Sequence, residues 1–186
     1  MPDVYTIRCR CGTLTGALTA PSWTNRVICY CDDCQAFAEA LGHAEAILDA
    51  RGGSDILQTA PRHVCFSGGR EHLACLRLKP NGLLRWYADC CRTPIANTPA
   101  NPKFHFVGLL HNCLEANLDA AFGPPRMRAH TAFARGEPKP SQQMPAARMA
   151  RIGGAVFWAR LTGRYRQTPF FDAAGNPVAA PTLVSA

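Results

Sequence analysis

Short apolar runs broken by Gly, Pro and Asn fill the first two thirds of the chain. Leu73 to Leu78 and Leu83 to Tyr87 flank Pro80-Asn81-Gly82. An Asn-Gly between two such runs is a strong short-range signal for a β-hairpin. Val64 to Phe66 and Phe104 to Leu110 are further candidate strands, and Gly52-Gly53 and Gly68-Gly69 mark turns. Asn112 to Phe122 reads as a short helix closed by Gly123-Pro124-Pro125. Residues 124–147 are rich in Pro, Ala, Arg and Gln and read as a linker or irregular surface segment. Pro145 then suits a helix first turn, with Met149, Ile152, Val156 and Ala159 at i, i+3, i+7 and i+10. Gly153-Gly154 weakens that helix by roughly 1 kcal/mol per glycine. The expected fold is mainly β. One domain covers residues 1–123, and a basic segment with a C-terminal helix covers 124–186, packed on it or appended to it.

Composition fits a folded chain: hydrophobic residues make up 47% and charged residues 18%. No apolar run approaches the ~20 residues needed to span a bilayer. Met1 to Cys11 is polar and lacks an apolar stretch of signal-peptide type, so the expected compartment is the cytoplasm. Net charge is +7, distributed as −3 over residues 1–60, +3 over 61–120 and +7 over 121–186. The basic character thus belongs to the C-terminal third, where Arg148, Arg151, Arg160 and Arg164 surround the helical stripe. Seven cysteines ligating two zinc ions as thiolates would lower the total to about +4. Aromatic residues are 9%, with no basic–aromatic interleaving. A nucleic-acid partner is therefore disfavoured.

Ten cysteines change the picture. In a reducing compartment, dense cysteine points to metal or redox chemistry rather than structural disulfides. Cys29, Cys31 and Cys34 form C-x-C-x-x-C, three thiolates from six residues, with no further cysteine or histidine until His43. Zinc prefers four tetrahedral ligands, and thiolate is a favoured one. The trio fits an open zinc site, a closed site completed by a distant ligand, or a metal-free redox set. Cys9 and Cys11 supply two more ligands, for which Cys90 and Cys91 at the end of the hairpin are the best partners. Adjacent strand residues point to opposite faces, so both can meet one ion only if the chain turns there, as Arg92-Thr93-Pro94 permits. Cys65, Cys75 and Cys113 lie alone in apolar segments and read as small buried hydrophobes. The six histidines are scattered, with His43 and His105 the nearest to ligand candidates.

Three motifs in order resemble the glutathione-dependent formaldehyde-activating enzyme (GFA) family, which includes the centromere protein V (CENP-V) group. They are Cys9-Arg10-Cys11-Gly12, then Cys29-Tyr30-Cys31-Asp32-Asp33-Cys34, then Trp86-Tyr87-Ala88-Asp89-Cys90-Cys91-Arg92-Thr93-Pro94. The match covers about residues 5–110. The resemblance implies small β-sheets held by zinc, a β-tent. It implies a closed structural zinc on the early and late cysteines. It also implies a second zinc on Cys29, Cys31 and Cys34, open to a thiol such as that of glutathione. The sequence departs from the family in three places. Aligning on Thr93-Pro94 puts Cys91 on the family's last cysteine and Ala88 on the one before it, so Cys90 substitutes from a shifted position. Arg92 replaces the usual glycine. Asp32 and Asp33 stand where many relatives carry neutral or basic residues, and they disfavour an anionic ligand unless arginines such as Arg85 or Arg92 offset them.

The expected function is that of a cytoplasmic zinc enzyme with carbon–sulfur lyase chemistry on a thiol adduct of a small molecule. Cys29, Cys31 and Cys34 form its catalytic centre. The alternatives are a non-catalytic zinc module for a macromolecular partner and a thiol redox protein.

Overall fold

The computed structural model describes residues 3–184. Eleven strands fall in chain order: β1 (Val4–Arg8), β2 (Thr15–Thr19), β3 (Asn25–Cys29), β4 (Ser54–Thr59), β5 (Val64–Gly68), β6 (Leu73–Arg77), β7 (Leu84–Ala88), β8 (Thr93–Thr98), β9 (Val107–Leu110), β10 (Met127–Ala129) and β11 (Thr182–Leu183). The helices are α1 (Asp32–Ala40), α2 (Ala44–Ile47), α3 (Leu118–Phe122) and α4 (Ala146–Leu161). The fold is mainly β, as expected, in two sheets. The smaller has the order β1-β2-β5. The larger runs β10-β3-β4-β9-β8-β7-β6-β11.

The sheets meet through one face of each. Ile7, Leu14, Leu18 and Val64 of the small-sheet side join Leu57, Trp86, Ile95 and Leu109 of the large sheet in one core. Strand alternation explains the sorting on β7. Leu84, Trp86 and Ala88 enter that core, while Arg85 and Tyr87 turn to the opposite face, toward α1. The predicted hairpin is present as β6 and β7, with Leu76 opposite Arg85.

Four expectations need correction. The helix read over 112–122 is confined to α3. Asn117 starts it late by accepting a hydrogen bond from the Ala120 N–H at 3.0 Å, while Cys113 and Leu114 are drawn into the core. The strand read over 104–110 begins only at Val107, since Phe104 is exposed after the turn at Asn101. Residues 124–147 are not purely a surface segment, because β10 completes the large sheet by pairing in parallel with β3. The predicted C-terminal helix is α4, and beyond it Phe170 and Phe171 bury themselves against Trp86. Cys75 and Cys113 are buried as expected, whereas Cys65 is exposed, because it falls on the outer face of β5.

His105 precedes β9 and is 2% exposed, with neither ring nitrogen hydrogen-bonded among the described residues. Burial, with Arg62 and His63 nearby, pushes its pKa down to about 4. The fold therefore holds a neutral imidazole. Below the unfolded value near ~6.5 the unfolded chain takes up a proton that the fold refuses. We predict that stability falls as pH drops from about 6.5 to about 4, by roughly 3 kcal/mol at most for this group. His105→Phe should flatten that slope in denaturant titrations at stepped pH; an identical slope would contradict the assignment.

Candidate metal centres

The first centre joins two loops distant in sequence. Cys9 and Cys11 lie between β1 and β2, and Cys90 and Cys91 lie in the turn between β7 and β8. All four sulfurs lie within 4.8 Å of one another. Cys9 Sγ is 3.5 Å from Cys11 Sγ and 3.9 Å from Cys90 Sγ, and Cys11 Sγ is 3.3 Å from Cys90 Sγ. Metal–thiolate bonds of about 2.3 Å set the edges of a tetrahedron at about 3.8 Å, so the spacing suits a thiophilic ion. The turn expected at Arg92 is what lets adjacent cysteines converge. Arg92 sits at φ 55°, the left-handed conformation that glycine adopts freely. Its guanidinium donates to the Ala40 carbonyl at 2.9 Å, which ties the turn to the end of α1.

Neighbouring donors surround these sulfurs. The Leu14 N–H donates to Cys9 Sγ at 3.2 Å, and the Thr93 hydroxyl lies 3.0 Å from Cys91 Sγ. Thr13, through its hydroxyl and its backbone, draws the Cys11 thiol down to about 6. Desolvation and the Cys11 sulfur push Cys90 up to about 12. The Leu14 and Thr93 contacts orient the Cys9 and Cys91 sulfurs.

The second centre is local. Cys29 ends β3, Cys31 caps α1 and Cys34 lies in the first turn of α1. Their sulfurs also lie within 4.8 Å of one another, with Cys29 and Cys31 3.4 Å apart. The N–H groups of Cys34 and Gln35 both donate to the Cys31 carbonyl, at 3.0 and 3.2 Å, so the helix begins on the motif. Its start directs partial positive charge toward the thiols. Sequence reasoning missed α1, although Cys34, Phe37, Ala38 and Leu41 at i, i+3, i+4 and i+7, followed by Gly42, carry its signal.

Arg85 lies beneath this trio and is 2% exposed. Its guanidinium donates to Asn97 Oδ1 at 3.3 Å, reaches Cys34 Sγ at 3.7 Å and Asp33 at 3.9 Å, and stacks over Phe37. A buried cation needs such anionic partners. The Cys29 and Cys31 sulfurs, together with Arg85, hold Cys34 well below the ordinary thiol value. The Cys31 and Cys34 sulfurs and burial push Cys29 up. Asp33 is fixed on its other side by Lys79 at 2.7 Å. Of the two arginines expected to offset the carboxylates, Arg85 does so, whereas Arg92 is committed to Ala40.

The trio opens into a cavity of about 510 Å³. Its floor is the face of the large sheet opposite the core, through Val27, Ile56, Asn97 and Gly108, and Met149 and Ile152 of α4 cover it. His130 and Phe133 also line it, and no motif in the sequence singled them out. His43 and His105 join neither sulfur cluster. His43 instead faces the Arg10 guanidinium at 2.9 Å. A third grouping, His72, Asp89 and Cys90, borders the first centre, with His72 Nδ1 2.8 Å from the Asp89 carboxylate. All seven cysteines expected as ligands are thus gathered into two clusters that could hold metal ions, and all ten cysteines are free thiols.

The chain matches a family of unknown function over residues 1–181. It belongs to the DUF6151 family. The match takes in both sulfur clusters, β10 and α4, so all but the last five residues of the C-terminal third lie within the family's span. No curated protein matches the chain. Among the described residues, no helix is long and apolar enough to cross a membrane.

Arg85→Met removes the buried positive charge while keeping most of the volume. We predict a loss of roughly 10–100-fold in metal affinity at the three-cysteine centre, read by competition with a chromophoric chelator. Unaltered affinity would show that Arg85 has no electrostatic part in the site.

Proposed function

We propose that this protein is a zinc enzyme of carbon–sulfur lyase type, acting on a thiol adduct of a small carbonyl compound. One observation carries the reading: Cys29, Cys31 and Cys34 converge at the edge of a cavity large enough for a small molecule. Zinc suits both donor sets. Four thiols close the first centre, which makes it structural, whereas three leave a fourth position for substrate at the second. The order of the three cysteine motifs, which resembles that of the glutathione-dependent formaldehyde-activating enzymes, supports the same division. Ten free thiols suit a reducing compartment such as the cytoplasm.

Zinc, when bound, supplies a Lewis acid that stabilises the substrate sulfur as thiolate. The protein's own groups do the rest. In a hemithioacetal, the hydroxyl proton passes to a base and the C–O bond becomes a carbonyl. The C–S electron pair stays on sulfur, which leaves as thiolate and takes up a proton to become the free thiol. Asp32 and Asp33 both line the cavity. Asp33 is engaged by Lys79 and faces Arg85, whereas no ion pair holds Asp32 among the described residues. Asp32 is therefore the better base. Three thiolates on a divalent ion carry one net negative charge, and Arg85 offsets it at a distance too short for water to screen.

A second reading rests on α4. Phe157, Trp158 and Leu161 are exposed, by 63%, 58% and 64%, beside Arg160 and Arg164. This surface suits a macromolecular partner of a non-catalytic zinc module.

Cys31→Ser tests the first reading. Elemental analysis should give two zinc ions per wild-type chain and one per variant, with release of aldehyde from hemithioacetals abolished. Unchanged zinc content in the variant would sink the proposal. Two zinc ions without any thiol chemistry would leave the partner-binding reading.

A further inference from the structure

The cavity at the three-cysteine centre does not end there. A second hollow of about 480 Å³ runs on between α4 and the segment before β9. Phe106, Met149 and Ile152 belong to the walls of both, so the two hollows adjoin and follow one another along α4. The walls of the second length are apolar, through Pro99, Phe104, Val156 and Phe157, and the only charged side chains on it are Lys103 and Arg160. Both cations are exposed, and neither has a side-chain ion pair among the described residues. One end of the pair therefore presents soft sulfur ligands, the middle presents hydrocarbon, and the far end presents two free positive charges.

We infer that the thiol substrate is an elongated amphiphile, with its sulfur at Cys29, Cys31 and Cys34, an alkyl chain along α4 and an anionic group at Lys103 and Arg160. The inference rests on the thiol-adduct reading above and narrows its substrate class. Complementarity at both ends commits the groove to this occupant: a soft head, an apolar length and an anion. A peptide thiol such as glutathione fits poorly, because its amides would lose water along walls that offer few polar partners. An alkyl chain loses nothing there, and each methylene removed from water strengthens binding. Gly153 forms part of the groove wall, and a Cβ built on it meets nothing within 4 Å. A larger side chain is therefore accommodated without a clash and narrows the groove.

The test is calorimetric titration of the zinc-loaded full chain with ω-mercaptoundecanoic acid, its ω-mercapto alcohol analogue, mercaptoethanol and undecanoic acid. The long mercapto acid should bind on the order of a hundredfold more tightly than mercaptoethanol. Gly153→Leu should reduce that ratio by at least about tenfold. Lys103→Ala combined with Arg160→Ala alters only exposed side chains, and it should abolish the preference for the acid over the alcohol. Equal affinity for long and short thiols would overturn the inference while leaving thiol binding at the centre intact. Absence of binding by every thiol, with or without binding of undecanoic acid, would overturn the thiol-adduct reading and the inference with it.

Discussion

A guanidinium buried to 2% exposure sets the electrostatics around Cys29, Cys31 and Cys34. Arg85 sits where the large sheet meets α1, and its charge is tolerable there only because the Cys34 sulfur, Asp33 and the Asn97 carbonyl face it. The dependence runs both ways. Three sulfurs within 4.8 Å of one another repel once ionised, and the charge beneath them, with the N-terminus of α1, makes that crowding bearable. The alternation of β7 delivers this arrangement. Trp86 goes into the core between the sheets, and Arg85 is thereby turned to the cavity face.

The two sulfur centres divide the labour of the fold. The four-cysteine cluster sets the β1–β2 loop against the β7–β8 turn, where a bound metal ion would join the small sheet to the large one in place of a disulfide. The three-cysteine cluster joins a strand to a helix within six residues and leaves its open side to the cavity. The C-terminal third completes that cavity. It contributes an edge strand, a covering helix and, through Phe170, a plug in the main core.

Much of this was legible in the chain. Asn81-Gly82 announced the β6–β7 hairpin, and the cysteine spacing pointed to the same two groups of seven sulfurs that the fold brings together. Cys90 was legible as a partner of Cys9, Cys11 and Cys91, because a turn at Arg92 frees adjacent residues from strand alternation. What stayed hidden depended on contacts distant in sequence. The three residues of β10 form a strand only because β3 offers an open edge. The exposure of Cys65 follows from which face of β5 the small sheet presents. His130 reaches the cavity through the path of the chain after β10, and nothing in its own neighbourhood announces that. The start of α1 was masked because its capping residue is also a candidate ligand, and Cys31 is an unusual cap that makes no side-chain cap bond.

The central claim is that one centre is closed by four sulfurs and the other is left open by three. X-ray absorption at the zinc edge of the fully loaded chain tests this most directly, since it counts sulfur and lighter scatterers around the metal. The account predicts an average of about 3.5 sulfurs and about 0.5 oxygen or nitrogen per zinc. Four sulfurs per zinc throughout, with no lighter ligand, would contradict it.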